Sequence, residues 1–331
     1  MPTQQKDLPM LADEVKKLKS IKAKTVEKFN ASDNKAPEMV TEDGRSYPKG
    51  MKSIAIAAIK KAAKGQKTET DHFYPTHADF EYKPALEAAG KRKPKFIDRE
   101  SFLADMGVKT IFGADDRRVY NSLAYPWRCV GRVETALGVG SGVMIGPRHL
   151  LTCSHIIDWK PNNQTGWLKF TPMYYNGSAP YGSAWGVLTY WQFKVAGPTI
   201  DSTEAQFDYT VIVLDRTIGN QTGWLGSKTY SNSWDNGAYW THAGYPGDVT
   251  GTQRPTYQTG IALDGQGSES HEAIAHRGDI WPGQSGGPFW GYWNGAPYAV
   301  ATQSWQNSSQ NGASGGSDLV NLVIRARNEH P

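Results

Sequence analysis

Gly278-Asp279-Ile280-Trp281-Pro282-Gly283-Gln284-Ser285-Gly286-Gly287-Pro288-Phe289-Trp290 sets a single serine among glycines, with a proline to fix the exit of the turn. A serine hydroxyl is a weak nucleophile at neutral pH. It needs a neighbouring base, and the oxyanion it creates needs hydrogen-bond donors. Glycine lets a backbone turn tightly and bring its N–H groups close to a substrate carbonyl. Gly283 and Ser285 are spaced to offer two such donors. Alone, the stretch also reads as a turn between two strands. The choice rests on what lies upstream.

Two upstream residues supply the missing roles. His155 ends the apolar run Leu150-Leu151-Thr152-Cys153-Ser154-His155, and Asp208 heads Phe207-Asp208-Tyr209-Thr210-Val211-Ile212-Val213-Leu214. Each alone reads more simply as a structural residue, the His at a strand end and the Asp as a strand cap. Together with Ser285 they make a base, an orienting carboxylate and a nucleophile, the three roles acyl transfer needs. Around them the chain is written in short apolar runs: Tyr125–Val133, Gly140–Pro147, His149–Thr152, Trp185–Val195, Asp208–Leu214, Trp240–Ala243, Gln258–Leu263 and Tyr298–Thr302. So many short strands separated by Gly, Pro and Asn predict an all-β sandwich or barrel. The end differs. Ser317 is placed to cap a helix carrying Leu319, Leu322, Val323 and Ala326 on one side.

The order His155, Asp208, Ser285 is that of the chymotrypsin class, and the contexts agree. From about Ile111 to the end the chain resembles the chymotrypsin-like serine endopeptidases, most closely their glutamyl endopeptidase branch of bacterial and fungal proteins. The supports are Ser141-Gly-Val-Met-Ile-Gly-Pro147 before Leu150-Leu-Thr-Cys-Ser-His155, Phe207-Asp-Tyr-Thr-Val-Ile212, Gly244-Tyr-Pro-Gly-Asp248 and Gly283-Gln-Ser-Gly-Gly-Pro288. The resemblance implies two six-stranded antiparallel β-barrels with the site between them, a C-terminal helix, and a propeptide over residues 1–110 before a protease domain over 111–331. It implies catalysis by His155, Asp208 and Ser285, an oxyanion hole at the Gly283 and Ser285 N–H groups, and a cleft to which Asp279, Ile280, Gln303, Ser304 and Trp305 contribute. No metal or organic cofactor is required by this chemistry. The expected partners are protein or peptide substrates and the chain's own propeptide, and the expected state is a monomer.

The departures bear on specificity. Gln284 stands where trypsin-like zymogens keep an acid for the freed N-terminal amine. The stretch Thr302-Gln303-Ser304-Trp305-Gln306, where glutamyl endopeptidases place a His, holds none, and Ile280 stands where they tend to have a small hydroxyl residue. Asp279 occupies the place where trypsin-like enzymes read Lys or Arg, or else points away from the pocket. Other chemistries fit worse. The α/β-hydrolase elbow needs a His after its acid, and here only His330 follows Ser285. His271-Glu272-Ala273-Ile274-Ala275-His276 has one residue too many for a zinc-binding helix. A non-enzymatic binding module on the same fold remains the alternative, although such a module has no need of all three roles.

Composition divides the chain at the same boundary. Up to Lys109 there are 22 Lys/Arg against 16 Asp/Glu, whereas the rest has 14 against 16 and holds all 12 tryptophans. A neutral body gives no electrostatic case for nucleic acid. The leader carries amphipathic helical rhythms at 11–29 and 51–64 and a basic linker at Gly90–Lys95, which reads as a boundary and an accessible cleavage region. Its longest apolar run, Ile54–Ile59, is far too short to span a membrane. The first thirty residues lack the apolar core of a secretory signal. The sequons at Asn30, Asn163, Asn176, Asn220 and Asn307 would fit secretion all the same. Cys129 and Cys153 either form one bridge or are buried free thiols.

Overall fold

The structure is a computed structural model that describes residues 7–23, 38–40, 46–56, 69–86, 111–197, 199–307 and 309–331. Six strands close the first barrel. Leu168–Pro172, Val130–Thr135, Gly138–Met144, His149–Thr152, Thr210–Leu214 and Ala184–Trp191 pair in that order, and Ala184–Trp191 pairs back to Leu168–Pro172. Neighbouring strands run antiparallel throughout. On the two faces of its strands, Val133, Val143, Leu150, Leu151, Phe170 and Ile212 are fully buried. Closure pairs the six strands around the barrel and leaves open only the Leu188–Trp191 end of the last one, beyond its pairing with Leu168–Pro172.

The second sheet curls without closing its ladder, as a half-barrel. Its order is Leu263–Gly265, Glu272–His276, Asn311–Gly315, Ala296–Gln306, Pro288–Trp293, Trp240–Gly244 and Thr256–Ile261, with Arg118–Val119 at the edge. Its separate core is aromatic: Tyr230, Trp234, Trp240, Phe289 and Trp293 pack with Ile274 and Val300. Each predicted run contains strand, although Tyr125–Cys129 is a loop and one 3-10 turn (Trp127–Cys129), with strand starting only at Val130. Leu168–Pro172, Glu272–His276, Pro288–Trp293 and Asn311–Gly315 are strands that the predicted runs missed.

The closing helix spans Ser317–Glu329 and buries Leu319, Leu322, Val323 and Ala326 against the first barrel's core. Ser317 is not its cap. Gly316 holds that position, and the Ser317 and Asp318 N–H groups donate instead to the Glu269 and Ser270 carbonyls. That satisfies two of the donors a helix start leaves open.

The leader holds less helix than its rhythm predicts. Only Ala12–Val15 is α-helical within the described part of 11–29, and Lys52–Ala55 is a strand where a helix was expected. Residues 24–29 and 57–64 lie outside the described residues. The strand forms because it pairs in parallel with Leu188–Trp191 of the first barrel, burying Met51, Ser53 and Ile56. Tertiary pairing outweighs local propensity here. Glu69–Thr70 likewise pairs with Ser227–Lys228, and Phe80 packs its ring against Tyr125. The two cysteines are not bridged. Both are free and buried, Cys129 donating to the Thr222 carbonyl.

Candidate active site

Each candidate residue sits where a strand of one sheet meets the other. His155 follows strand His149–Thr152 and Asp208 precedes strand Thr210–Leu214, neighbours in the first barrel through the Thr210–Thr152 pair. Ser285 lies on the loop entering Pro288–Trp293, and Gln303 and Ser304 on Ala296–Gln306, both in the half-barrel.

Asp208 is fully buried and its carboxylate accepts four hydrogen bonds. One oxygen takes the Ser154 and His155 backbone N–H groups, both at 2.8 Å. The other takes His155 Nδ1 at 2.6 Å and Ser304 Oγ at 2.5 Å. An acceptor opposite Nδ1 fixes the ring and its tautomer, with the proton on Nδ1 and Nε2 left as acceptor. Burial works against a charged imidazole, but the Asp208 carboxylate outweighs it and holds His155 well above the usual histidine range. Among the described residues Nε2 meets Cys153 Sγ at 3.8 Å, and no hydrogen bond joins it to Ser285 Oγ. Such contacts are commonly loose before substrate binds.

His155 and Ser285 line one cleft of about 450 Å³ together with Ile280, Trp281, Pro282, Gln303, Ser304 and Trp305. Cavities of about 500 and 520 Å³ lie elsewhere, but neither sets a serine or cysteine beside a histidine. The turn before Ser285 depends on glycine. Gly283 has φ +102° and Gly286 φ +79°, and a Cβ on either would strike the Tyr245 carbonyl oxygen or the Thr152 hydroxyl. Ser141 clasps the turn from the first barrel, its Oγ donating to Gly283 O at 2.8 Å and its N–H to Ser285 O at 2.8 Å. With those carbonyls turned inward, the Gly283 and Ser285 N–H groups have no partner among the described residues.

Of the residues predicted for substrate, Ile280, Gln303, Ser304 and Trp305 line the cleft and Asp279 does not. The Asp279 carboxylate turns the other way and accepts the Phe112 and Asp116 N–H groups at 2.9 and 2.8 Å. Burial raises its pKa, against the pull of those two donors. The acid serves the 112–116 segment rather than the pocket. Gln303 faces the cleft with its carbonyl oxygen held at 3.0 Å by His276 Nε2. Because the Gly278 N–H donates to His276 Nδ1, the proton of that ring sits on Nε2. Burial pushes His276 down to about 3, so it is neutral.

Sequence reasoning missed the Ser304–Asp208 bond, the Cys153 contact and the support that Arg117 gives from below the loop. Cys153, His155 and Asp208 form a group of three potential metal donors among the described residues, but Nδ1 and both carboxylate oxygens are already bonded to each other or to protein donors. In the His271–His276 stretch, Glu272 accepts from the Gly267 N–H while His276 bonds Gln303.

A closed six-stranded barrel, a facing half-barrel and a terminal helix, with the cleft between the sheets, are the double-barrel architecture of the chymotrypsin-like serine proteases. The fold matches a solved structure of Glu endopeptidase in complex with MPD, with a TM-score of 0.53 and 20% identity over 66% of this chain and 100% of that one. In sequence, the chain is similar to glutamyl endopeptidase of Bacillus licheniformis, 32% identical over 212 residues, and spans 64% of that relative's length. It is also 26% identical over 158 residues to an extracellular metalloprotease of Bacillus subtilis, spanning 49% of its length. No protein-family model matches the chain.

Proposed function

We propose that this protein is a serine endopeptidase in which Ser285, His155 and Asp208 carry the chemistry. The observation behind the reading is the Asp208 carboxylate, saturated by four donors so that it holds Nδ1 and leaves Nε2 as the acceptor nitrogen of a ring that lines the cleft containing Ser285. Ser285 Oγ attacks the peptide carbonyl while His155 Nε2 takes its proton, then returns it to the leaving amine. Water repeats the cycle on the acyl-enzyme. The charge on the tetrahedral intermediate falls where the two unpartnered N–H groups of Gly283 and Ser285 point, and one such donor is worth roughly 10²–10³ in rate.

Substrates with an uncharged side chain before the scissile bond fit the cleft best. No Lys, Arg, Asp or Glu is among its lining residues. Leaving a charge buried and unpaired costs several kcal/mol. Asp279 is spent on backbone amides, which argues against Lys and Arg. Neutral His276 behind Gln303 gives a carboxylate no cation, which argues against Glu. The acidic preference in the relative's name is therefore not carried over.

The reading includes synthesis as a proprotein, with residues 1 to about 110 as the leader, cleavage in the basic linker region and a new N-terminus between Lys93 and Ile111. The leader's Met51, Ile56 and Phe80 are buried against the body, and burial of each is worth about 1.5–3 kcal/mol. A cut leader therefore stays bound until denaturant releases it. N-terminal sequencing of active protein that found only Met1 or Pro2 would exclude cleavage.

The functional test is Ser285→Ala, with His155→Ala beside it. Each is expected to lower peptide hydrolysis by about 10⁶ while leaving the fold intact. Activity within tenfold of the parent in the folded Ser285→Ala protein would refute the assignment. A protein that folds, hydrolyses nothing and ignores serine-directed phosphonates would instead be a binding module.

A further inference from the structure

We infer that Arg117 locks the loop carrying Gly283 and Ser285 from inside the chain, so that the uncleaved protein is already catalytically competent. The inference rests on the endopeptidase reading above. The loop folds over the Gln284 side chain, which points inward and is 1% exposed. Gln284 Oε1 accepts the Trp281 N–H at 3.0 Å and Arg117 Nη1 at 2.9 Å. The first bond closes the turn, and the second fastens it to the floor. Gly283 and Ser285 flank Gln284 directly, so a shift of Gln284 turns both of their N–H groups.

Arg117 is itself fixed. Its side chain is 1% exposed, and each of its five N–H donors has an acceptor. Nε and Nη2 reach Asp115 at 3.0 and 2.8 Å, Nη2 and Nη1 reach Asp248 at 2.6 and 3.1 Å, and Nη1 reaches Gln284. A planar guanidinium meets such a set of acceptors, whereas a lysine ammonium has three donors and no fork. Asp248 belongs to the turn whose Gly247 N–H donates to Pro282 O at 2.8 Å. One cation thus ties three segments: 115–117, 247–248 and 281–284. Asp279 adds a second tie through the Phe112 and Asp116 N–H groups. All of these donors and acceptors are interior to residues 112–284. None is an amine that cleavage upstream of Ile111 would create, and no described residue of the leader lines the cleft.

The experiment labels freshly purified full-length protein with a fluorescent fluorophosphonate and separates the intact 36.5 kDa chain from processed chain on a gel. The intact band is expected to label at a rate within threefold of the processed band. Labelling confined to the processed band would overturn the inference while leaving the endopeptidase reading standing. Labelling of neither band would sink that reading, and the inference with it. Two substitutions isolate the positioning contact while leaving the Arg117 ion pairs in place. Gln284→Met removes the acceptor at similar volume and is expected to lower kcat at least tenfold with KM within threefold. Gln284→Glu keeps an acceptor oxygen and is expected to retain at least a third of kcat. A Gln284→Met protein with kcat within threefold of the parent would refute the positioning role. If that variant fails to fold, the labelling of the intact chain still decides the claim.

Discussion

Asp208→Asn tests the hydrogen-bond logic of the site at a single atom. The oxygen that takes the Ser154 and His155 N–H groups must stay an oxygen, because two donors at 2.8 Å face it. The new amide nitrogen therefore falls opposite His155 Nδ1 and Ser304 Oγ. It donates to Nδ1, which moves the ring proton to Nε2, and an Nε2–H cannot accept a proton from Ser285. Ser304 Oγ can turn from donor to acceptor, so no buried clash arises and the fold is expected to survive. In a comparable triad the same exchange lowers kcat by about 10⁴, or roughly 5.5 kcal/mol of transition-state stabilisation. The assay is hydrolysis of a chromogenic peptide ester or amide, with folded protein quantified by near-UV circular dichroism. A loss of less than tenfold in folded protein would refute the claim that Asp208 sets the tautomer of His155.

Three further outcomes follow from the same geometry. Because His155 is held above the usual histidine range and must be neutral to act as base, kcat/KM is expected to rise with pH through an acid limb above about 6.5; a limb well below that value would show that Asp208 does not raise the imidazole. Matched fluorogenic peptides differing only before the scissile bond should favour Leu or Phe over Glu and Lys by at least tenfold, and a Glu peptide cleaved tenfold better than its neutral counterparts would mean that an unidentified cation completes the pocket. Asp279→Asn leaves one of the Phe112 and Asp116 N–H groups without an acceptor, so it should lower stability by about 1–3 kcal/mol in urea melts while leaving the preference before the scissile bond unchanged; an altered preference would return Asp279 to the pocket.

Much of this was legible in the sequence because local chemistry demands it. Gly283 and Gly286 adopt positive φ values that side chains disfavour, so the serine turn is visible as a glycine pattern. The strands after His149 and Thr210 are apolar because they are buried on both sides, and the polar His155 and Asp208 mark where they emerge. What escaped was set by partners distant in sequence. Lys52–Ala55 has a helical rhythm, yet Leu188–Trp191 recruits it as a strand. Ser317 looks like a helix cap, but carbonyls from the 269–270 turn take that role. Asp279 could point either way until Phe112 and Asp116, over 160 residues earlier, claim its oxygens. Arg117 sits in the charged run Asp115–Arg118 with nothing local to mark a role, and only the fold brings Asp248 and Gln284 around it.

The central claim is that Ser285 is a nucleophile activated by His155, and the most direct measurement locates the adduct. The protein is treated with a fluorophosphonate, digested, and mapped by tandem mass spectrometry, in parallel with His155→Ala. The account predicts a single adduct on Ser285, formed at least a thousandfold more slowly in the variant. An adduct on another serine, or peptide hydrolysis that continues with Ser285 unmodified, would contradict it.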